Sequence, residues 1–378
     1  MKQEREYRQC ALTVMDTISD PDISFDEKGI SNYYYEYRKG EAERVKTGEE
    51  GKRALEKVVN EIKEAGKNLP YDCIMGLSGG VDSSYVAYQA KQLGLRPLAV
   101  HFDNGWNSEL AVMNIHNIVN KLNLDLHTLV VDWEEFKDVQ LAYLKASVID
   151  IEVATDHAIT ATLYKLAKKH KIKYLISGSN VATEYLMPPS WIFNKNDHIN
   201  LKAIHSKFGT IPLKTYPLFN DWLKKYNQEV LKAETISFLN YMPYNKQEVK
   251  EFITRELNWR DYGGKHYESI FTKFYQAYIL PVKFKVDKRK PHLSNLICAG
   301  QITREDALKE LEKPLYKEDE LKLDYEYVLK KFNLTKEEFE AILKLPIKRH
   351  QDFPIETGFF DRYSFLKPLR PLVQLINR

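Results

Sequence analysis

Cysteine is scarce in this chain. Only Cys10, Cys73 and Cys298 occur in 378 residues, far apart and with no Cys-x-x-Cys pair. That excludes a disulfide scaffold and points to a reducing compartment. Long apolar runs are missing as well, so no segment is long enough to span a bilayer. Met1-Lys2-Gln3-Glu4-Arg5 leads into no apolar stretch of the kind an export signal needs. The expectation is a cytoplasmic protein. Charge of one sign is also lacking. Lys+Arg 56 against Asp+Glu 53 leaves a net charge of +3, which argues against a nucleic-acid binder, whose domain is usually far more basic. There are no internal repeats and no low-complexity tract. What is there is ordinary for a globular chain, 43% hydrophobic and 29% charged. The length allows a sizeable core in more than one structural unit.

The most informative run is Gly76-Leu77-Ser78-Gly79-Gly80-Val81-Asp82-Ser83-Ser84. A strand-like Tyr71–Met75 precedes it. A helical stretch from Ser83 to Leu93 follows, with Val86, Ala87, Ala90 and Leu93 on one face. A Gly-rich turn between strand and helix gathers backbone N–H donors and the positive end of a helix dipole at one point. Such a point attracts phosphate. Ser78, Ser83 and Ser84 add hydroxyl donors. The spacing is neither that of a Walker A loop nor that of a dinucleotide fingerprint. A tight turn of small residues is the bland alternative, and the agreement of the loop with its flanking strand and helix counts against it.

Short apolar strands then alternate with helices. Strands are predicted at Asp72–Leu77, Pro97–Phe102, Leu126–Val131 and Tyr174–Ser177, and helices at 52–66, 83–93, 109–122 and 156–170. This pattern predicts an α/β fold with a parallel sheet covered by helices on both faces, and ligands at the carboxyl ends of the strands. Residues 1–50 read as a polar N-terminal segment with short strands at Leu12–Met15 and Ile23–Phe25. Beyond about residue 220 the strand pattern fades. Asn245 before Lys246–Leu257, and capping boxes at Thr303/Asp306 and Thr335/Glu338, predict a mostly helical C-terminal region. The units expected are 1–50, 51–220 and 221–378.

Other residues carry weaker signals. Asp103 ends the second strand in His101-Phe102-Asp103-Asn104-Gly105, where Asp-Asn-Gly is also a good plain turn. Gly178 and Asn180 follow the fourth strand. Asp156 either caps a helix or helps hold a metal, and the role of His157 beside it stays open. Lys265, His266, Arg289 and Lys290 form two basic groups after Gly263-Gly264 and before Pro291. They either decorate a solvated face or meet anions.

Ser78-Gly79-Gly80-Val81-Asp82-Ser83 resembles the pyrophosphate loop of the ATP pyrophosphatase superfamily. The run Tyr262-Gly263-Gly264-Lys265-His266-Tyr267-Glu268-Ser269, then Asp287-Lys288-Arg289-Lys290-Pro291-His292 and Cys298-Ala299-Gly300-Gln301-Ile302-Thr303, is similar to the N-acetyl sugar amidotransferases of the WbpG/PseA type. That resemblance spans nearly the whole chain. It implies an adenine-nucleotide alpha-hydrolase-like fold and ATP split into AMP and pyrophosphate. It implies ATP bound by Ser78, Gly79, Gly80, Asp82, Ser83, Ser84, Asp103, Gly178 and Asn180, with magnesium on Asp82. Asp82, Lys265, Arg289 and Lys290 then carry the chemistry. The reaction implied turns an acetamido sugar into an acetamidino sugar through an adenylyl imidate and ammonia, in lipopolysaccharide O-antigen or related glycan synthesis. The sugar is a nucleotide-linked diacetamido uronic acid or a nonulosonic acid.

Two absences matter. The family carries four cysteines of a structural zinc knuckle near its start. Here Cys10 is kept, while Thr13, Ser31 and Tyr34 stand at the other three positions. One thiolate cannot make a tetrahedral sulfur site, so zinc is expected to be absent, with packing by Tyr33, Tyr34, Tyr35 and Tyr37 in its place. A glutaminase nucleophile is also missing, since Lys2 follows Met1 and Cys73 sits in a buried strand. Ammonia is therefore expected from a separate glutaminase subunit with a cyclase-like partner, similar to the subunits of imidazole glycerol phosphate synthase (HisH-like and HisF-like). The other readings are a tRNA-modifying ATP pyrophosphatase, against which the near-neutral charge counts, and an inactive nucleotide-binding scaffold.

Overall fold

A computed structural model describes residues 5–264 and 267–357. Five strands form one parallel sheet: β1 (Cys73–Gly76), β2 (Pro97–Asp103), β3 (Asp125–Val130), β4 (Tyr174–Ser177) and β5 (Glu234–Ser237). Their spatial order is β3-β2-β1-β4-β5. The chain builds outward from β1 to β3 on one side and restarts at β4 on the other. The switch point therefore lies between β1 and β4, where an open α/β sheet leaves a crevice at its carboxyl ends.

Alternating side chains of the central strands feed two cores. Cys73, Met75, Ala99 and Ile176 pack with Val86, Ala90, Ile115 and Ile118 on one face. Ile74, Leu98, Val100 and Leu175 pack with Leu166, Ala167 and Ile172 on the other. A parallel sheet buried on both faces needs such near-continuous apolar strands. A third and larger core joins helix Trp133–Ala146 to the C-terminal helices through Trp106, Phe136, Tyr143, Phe271, Phe274, Phe332 and Phe339.

The predicted strands and helices fall within a few residues of those observed. Asn245, Thr303/Asp306 and Thr335/Glu338 cap their helices as expected. Three expectations need correction. First, the sheet takes a fifth strand, β5, from beyond residue 220. It is an edge strand, half exposed, with Ile236 its one strongly apolar residue, so no apolar run marks it. Second, Leu12–Met15 and Ile23–Phe25 are not strands. The segment holds two isolated antiparallel bridges, Gln9–Asp16 and Phe25–Ser31, and then a helix, Asn32–Arg44. That helix has no apolar stripe. It docks by Tyr33 and Tyr37, which are buried, while Tyr35 is exposed. Gly40 lets it close on the Tyr185 ring, because a Cβ there would come within 2.1 Å of that ring. Third, Asp156 does not cap its helix. The helix is Val153–His170 with Glu152 at its N-cap, which leaves Asp156 in the first turn.

Candidate active site

The run 76–84 forms a tight loop from β1 into helix Val81–Gln92. Gly79 holds φ +79°, and a Cβ there would press to 2.7 Å from the Ala111 carbonyl oxygen. Only glycine meets both conditions comfortably. The indole N–H of Trp259 donates to the Gly79 carbonyl at 2.8 Å. Gly80 is the N-cap and no side chain caps the helix. Its first-turn N–H groups, which lack intrahelical acceptors in any helix, therefore face an open cavity. Ser84 is buried and donates to the Gly80 carbonyl at 2.6 Å, which ties the first turn together. Ser78 and Ser83 share a hydroxyl contact at 3.1 Å at the cavity wall.

Three cavities adjoin here. The first, about 290 Å³, lies at the ends of β1 and β2 and is lined by Leu77, Ser78, His101, Asn107, Asp156 and Glu268, among others. The second, about 250 Å³, lies at the switch point, between Ser78–Ser83 and Ser177–Ser179. It also meets Glu184, Lys246, Lys250, Asp261, Tyr262 and Glu268. The third, about 670 Å³, is walled by Tyr262–Gly264 and by helical residues from Lys273 to Glu320. The first two share Ser78 and Glu268, and the second and third share Lys246 and Tyr262–Gly264.

Five of the sequence-predicted residues, Ser78, Gly80, Asp82, Ser83 and Gly178, line the second cavity. Asp82 lines it and accepts a hydrogen bond from the Tyr244 hydroxyl. Burial, then that carboxylate, pushes the Tyr244 phenol far above its ordinary range, so it stays a donor. Gly178 lies against the loop, where a Cβ would come 3.2 Å from Asp82 and from the Ser83 nitrogen. Asp103 and Asn180 shape turns rather than line these cavities. Asn180 caps the short helix Val181–Glu184. Asp103 accepts from Asn107 at 3.1 Å, and Asn107 also donates to His101 Nε2 at 3.2 Å. His101 Nδ1 in turn donates to the Leu77 carbonyl at 3.2 Å. This chain of bonds fixes a neutral imidazole in the first cavity, and burial lowers its pKa.

Arg289 and Lys290 do not converge on one cavity as the sequence suggested. Arg289 borders the third cavity, but its guanidinium forks onto Asp287 at 2.7 Å. It also donates to the Glu310 and Lys313 carbonyls at the end of helix Arg304–Glu312. Lys290 lines none of the three cavities; its ammonium meets the buried Asp16 of the N-terminal segment. Both cations hold parts of this chain together. Lys265 and His266 lie outside the described residues. Asp156 pairs with Lys195 at 3.1 Å and lines the first cavity, not the one holding Asp82. His157 is a structural histidine. It donates from Nδ1 to the Lys195 carbonyl at 2.8 Å and accepts the Phe219 N–H at Nε2.

Sequence reasoning missed Glu184, Tyr244, Lys246, Tyr262 and Glu268. Tyr244 lies 162 residues from Asp82 in the chain, so no local spacing announces it. Glu184 had a signal, standing four residues after Asn180 in the turn past β4.

A divalent cation fits the second cavity. Among the described residues no three acidic, histidine or cysteine side chains converge as a metal cage. Asp82 and Glu184 nevertheless border the same space beside the open helix end. Magnesium is held in this way, by one or two carboxylates completed with phosphate oxygens.

Residues 72–180 match the asparagine synthase family. Residues 268–369 match a family described as LPS biosynthesis protein WbpG-like, C-terminal domain. No curated protein matches the chain. Among solved structures, the NH3-dependent NAD synthetase of Campylobacter jejuni is 20% identical over 36% of this chain, with a TM-score of 0.28. The chain spans 59% of that protein's length. The NMN synthetase of Francisella tularensis is 17% identical over 60% of this chain and 92% of its own, with a TM-score of 0.30. A predicted subunit of tRNA methyltransferase from Methanocaldococcus jannaschii is 13% identical over 48% of this chain and 75% of its own, with a TM-score of 0.28. Residues 72–180, which hold the glycine-rich loop, and the WbpG-like C-terminal residues 268–369 thus stand in one chain, and together the two matches support a WbpG-type amidotransferase.

Proposed function

We propose that the protein converts an acetamido group of a sugar into an acetamidino group, consuming ATP and ammonia and releasing AMP and pyrophosphate, in bacterial surface-glycan synthesis. The observation that carries this reading is the line of three cavities. A nucleoside fits the first, and the pyrophosphate fits the open helix end in the second. The sugar fits the third, walled by the WbpG-like residues. The amide oxygen attacks the α-phosphorus and pyrophosphate leaves. Ammonia then displaces AMP from the activated carbon. Such chemistry asks for positioning and charge balance rather than a covalent nucleophile. Asp82 and Glu184, which border the same cavity, would hold magnesium, with Tyr244 orienting Asp82, and the ion would neutralise charge on the pyrophosphate. The sugar class is a nucleotide-linked diacetamido uronic acid or a nonulosonic acid.

Ammonia comes from a separate glutaminase subunit with a cyclase-like companion. The three thiols here are buried; burial raises the Cys73 thiol and pushes Cys298 up to about 12, so neither is an activated nucleophile. At Cys10 burial is outweighed by hydrogen bonds from Ser31 and Thr13, which lower the thiol, but it lies in the N-terminal segment and lines none of the three cavities.

The test is product analysis with an acetamido sugar and an ammonium salt. AMP and pyrophosphate should form in equal amounts, and ADP with phosphate would overturn the reading. The isolated chain should use ammonium but not glutamine; glutamine use by this chain alone would remove the need for a partner.

A further inference from the structure

We propose that the Glu268 carboxylate holds the cationic intermediates of amidine formation and takes the proton released by the attacking ammonia; this rests on the acetamido-sugar reading of the site. The nucleoside and pyrophosphate cavities meet at Ser78 and Glu268, the two residues that line both. A nucleotide laid through both cavities places its α-phosphate at that meeting point. Ser78 offers it a hydroxyl donor. Glu268 brings a carboxylate to the same point, where it attracts any cation that forms beside the α-phosphate.

The reaction makes cations at this point. The amide oxygen forms a bond to the α-phosphorus as the bond to pyrophosphate breaks. The nitrogen keeps its hydrogen, so the O-adenylyl imidate is positively charged. Ammonia's lone pair adds to the imidate carbon, and the carbon–oxygen bond to AMP breaks with its electron pair leaving on AMP. One proton of the added nitrogen must go to a base, and the amidinium product stays positive. A carboxylate beside the α-phosphorus meets both needs. It stabilises each cation and accepts one proton.

The fold holds Glu268 in place for this. Its carbonyl accepts the Ser108 N–H at 2.8 Å, and the next residue bridges to Asn107. The next N–H, of Ile270, donates to the Trp106 carbonyl at 2.9 Å. These bonds pin Glu268 to the turn after β2. The Tyr262 hydroxyl, kept protonated by burial and by this carboxylate, hydrogen-bonds the Glu268 side chain.

The experiment separates the two half-reactions in the full chain. Exchange of labelled pyrophosphate into ATP, dependent on the acetamido sugar and run without ammonia, reads adenylation. AMP release driven by ammonium reads the second step. Glu268→Gln should keep the exchange within about threefold of wild type and lower ammonium-driven turnover by about a hundredfold or more. Glu268→Asp should recover part of that turnover. Equal loss of both steps in Glu268→Gln and Glu268→Asp, or a raised magnesium requirement for exchange, would place Glu268 on the nucleotide or the metal and overturn the proposal. Unchanged turnover in Glu268→Gln would also overturn it. Absence of sugar-dependent exchange in the wild-type chain would instead bring down the reading of the site, and this proposal with it.

Discussion

The Tyr244 hydroxyl donates a hydrogen bond to a carboxylate oxygen of Asp82, at the mouth of the loop that follows β1. Asp82 lies in the first turn of an uncapped helix, where the dipole favours an anion. A fixed acidic side chain there can meet a metal in one orientation, while a mobile one can swing onto the amides that phosphate needs. Tyr244→Phe removes the constraint without removing the carboxylate. Losing a hydrogen bond to a charged group is worth about 1.5–3 kcal/mol, or roughly ten- to a hundredfold in kcat/KM for ATP. Asp82→Ala should abolish turnover with the fold intact. Steady-state kinetics with a thermal unfolding control checks both. Wild-type kcat/KM in Tyr244→Phe would show that Asp82 needs no such anchor.

Gly79 and Gly178 flank the same loop for different reasons. Gly79 has a left-handed backbone and the Ala111 carbonyl against it. Gly79→Ala should therefore destabilise the whole domain by about 2–3 kcal/mol, read as a lower denaturant midpoint. Gly178 has no left-handed backbone, but a methyl would push on Asp82 and Ser83 from 3.2 Å. Gly178→Ala should raise the KM for ATP severalfold with little change in unfolding. An unchanged KM for ATP in Gly178→Ala would mean that the helix end tolerates the shift and that the close approach has no role in binding.

The strands of the sheet and the glycine-rich loop were legible because their signals are local. β1 and β2 are buried on both faces and read as apolar runs, and Gly79-Gly80 sits between one such run and a helical stripe. β5 escaped because an edge strand buries little and needs few apolar residues. Helix Asn32–Arg44 escaped because Tyr34 and Tyr35 stand between the buried Tyr33 and Tyr37 and hide their helical spacing. Arg289 and Lys290 mislead for a different reason. A basic run looks the same whether it faces a ligand or the chain's own Asp287 and Asp16. Glu268 stands in the run that carries the family resemblance, but nothing in that run gives it a role; the meeting of two cavities does.

Lys290 gives a test of that distinction. Its partner Asp16 is 1% exposed and also accepts the Ser19 N–H at 2.8 Å. Arg304 adds a second tie, reaching the Thr13 carbonyl and the Gln9 side chain. Lys290→Ala leaves a buried carboxylate without its cation, at a cost of about 3 kcal/mol. The N-terminal segment should loosen, and trypsin should cut within it sooner, while the KM for ATP stays near wild type. Unaltered proteolysis with lost activity would return Lys290 to the substrate.

The same segment gives a metal prediction. The Ser31 N–H donates to Cys10 Sγ at 3.2 Å, and the Tyr33 hydroxyl donates to Asp20 at 2.5 Å. These bonds tie the segment together around Cys10 and Tyr33. Purified protein should carry zinc well below one per chain by elemental analysis, and a chelator should leave its unfolding temperature unchanged. Tightly held stoichiometric zinc would refute this and require ligands other than Thr13, Ser31 and Tyr34.

Acid stability follows from His157. Both of its nitrogens have fixed partners in the neutral ring, a carbonyl acceptor at Nδ1 and the Phe219 donor at Nε2. A proton on Nε2 would face another donor inside the core. Burial accordingly lowers its pKa to about 4. The unfolded chain takes up this proton near the ordinary value of about 6.5; the folded chain resists until about 4. The stability lost thus grows as pH falls through that window and reaches about 3 kcal/mol at its lower end. His350 acts in the same direction. Burial lowers it to about 3, with Nδ1 held by Asn200 at 2.8 Å and the ring stacked on Phe193 at 4.2 Å. Urea midpoints should therefore fall steadily between pH 7 and pH 5, before the carboxylates with depressed values, such as Glu135 and Asp138, begin to protonate. The gap in stability between wild type and His157→Gln should narrow over the same range, because the variant has no proton to gain at that position. A flat midpoint from pH 7 to pH 5, or a gap that does not narrow, would mean that His157 titrates as it does in the unfolded chain.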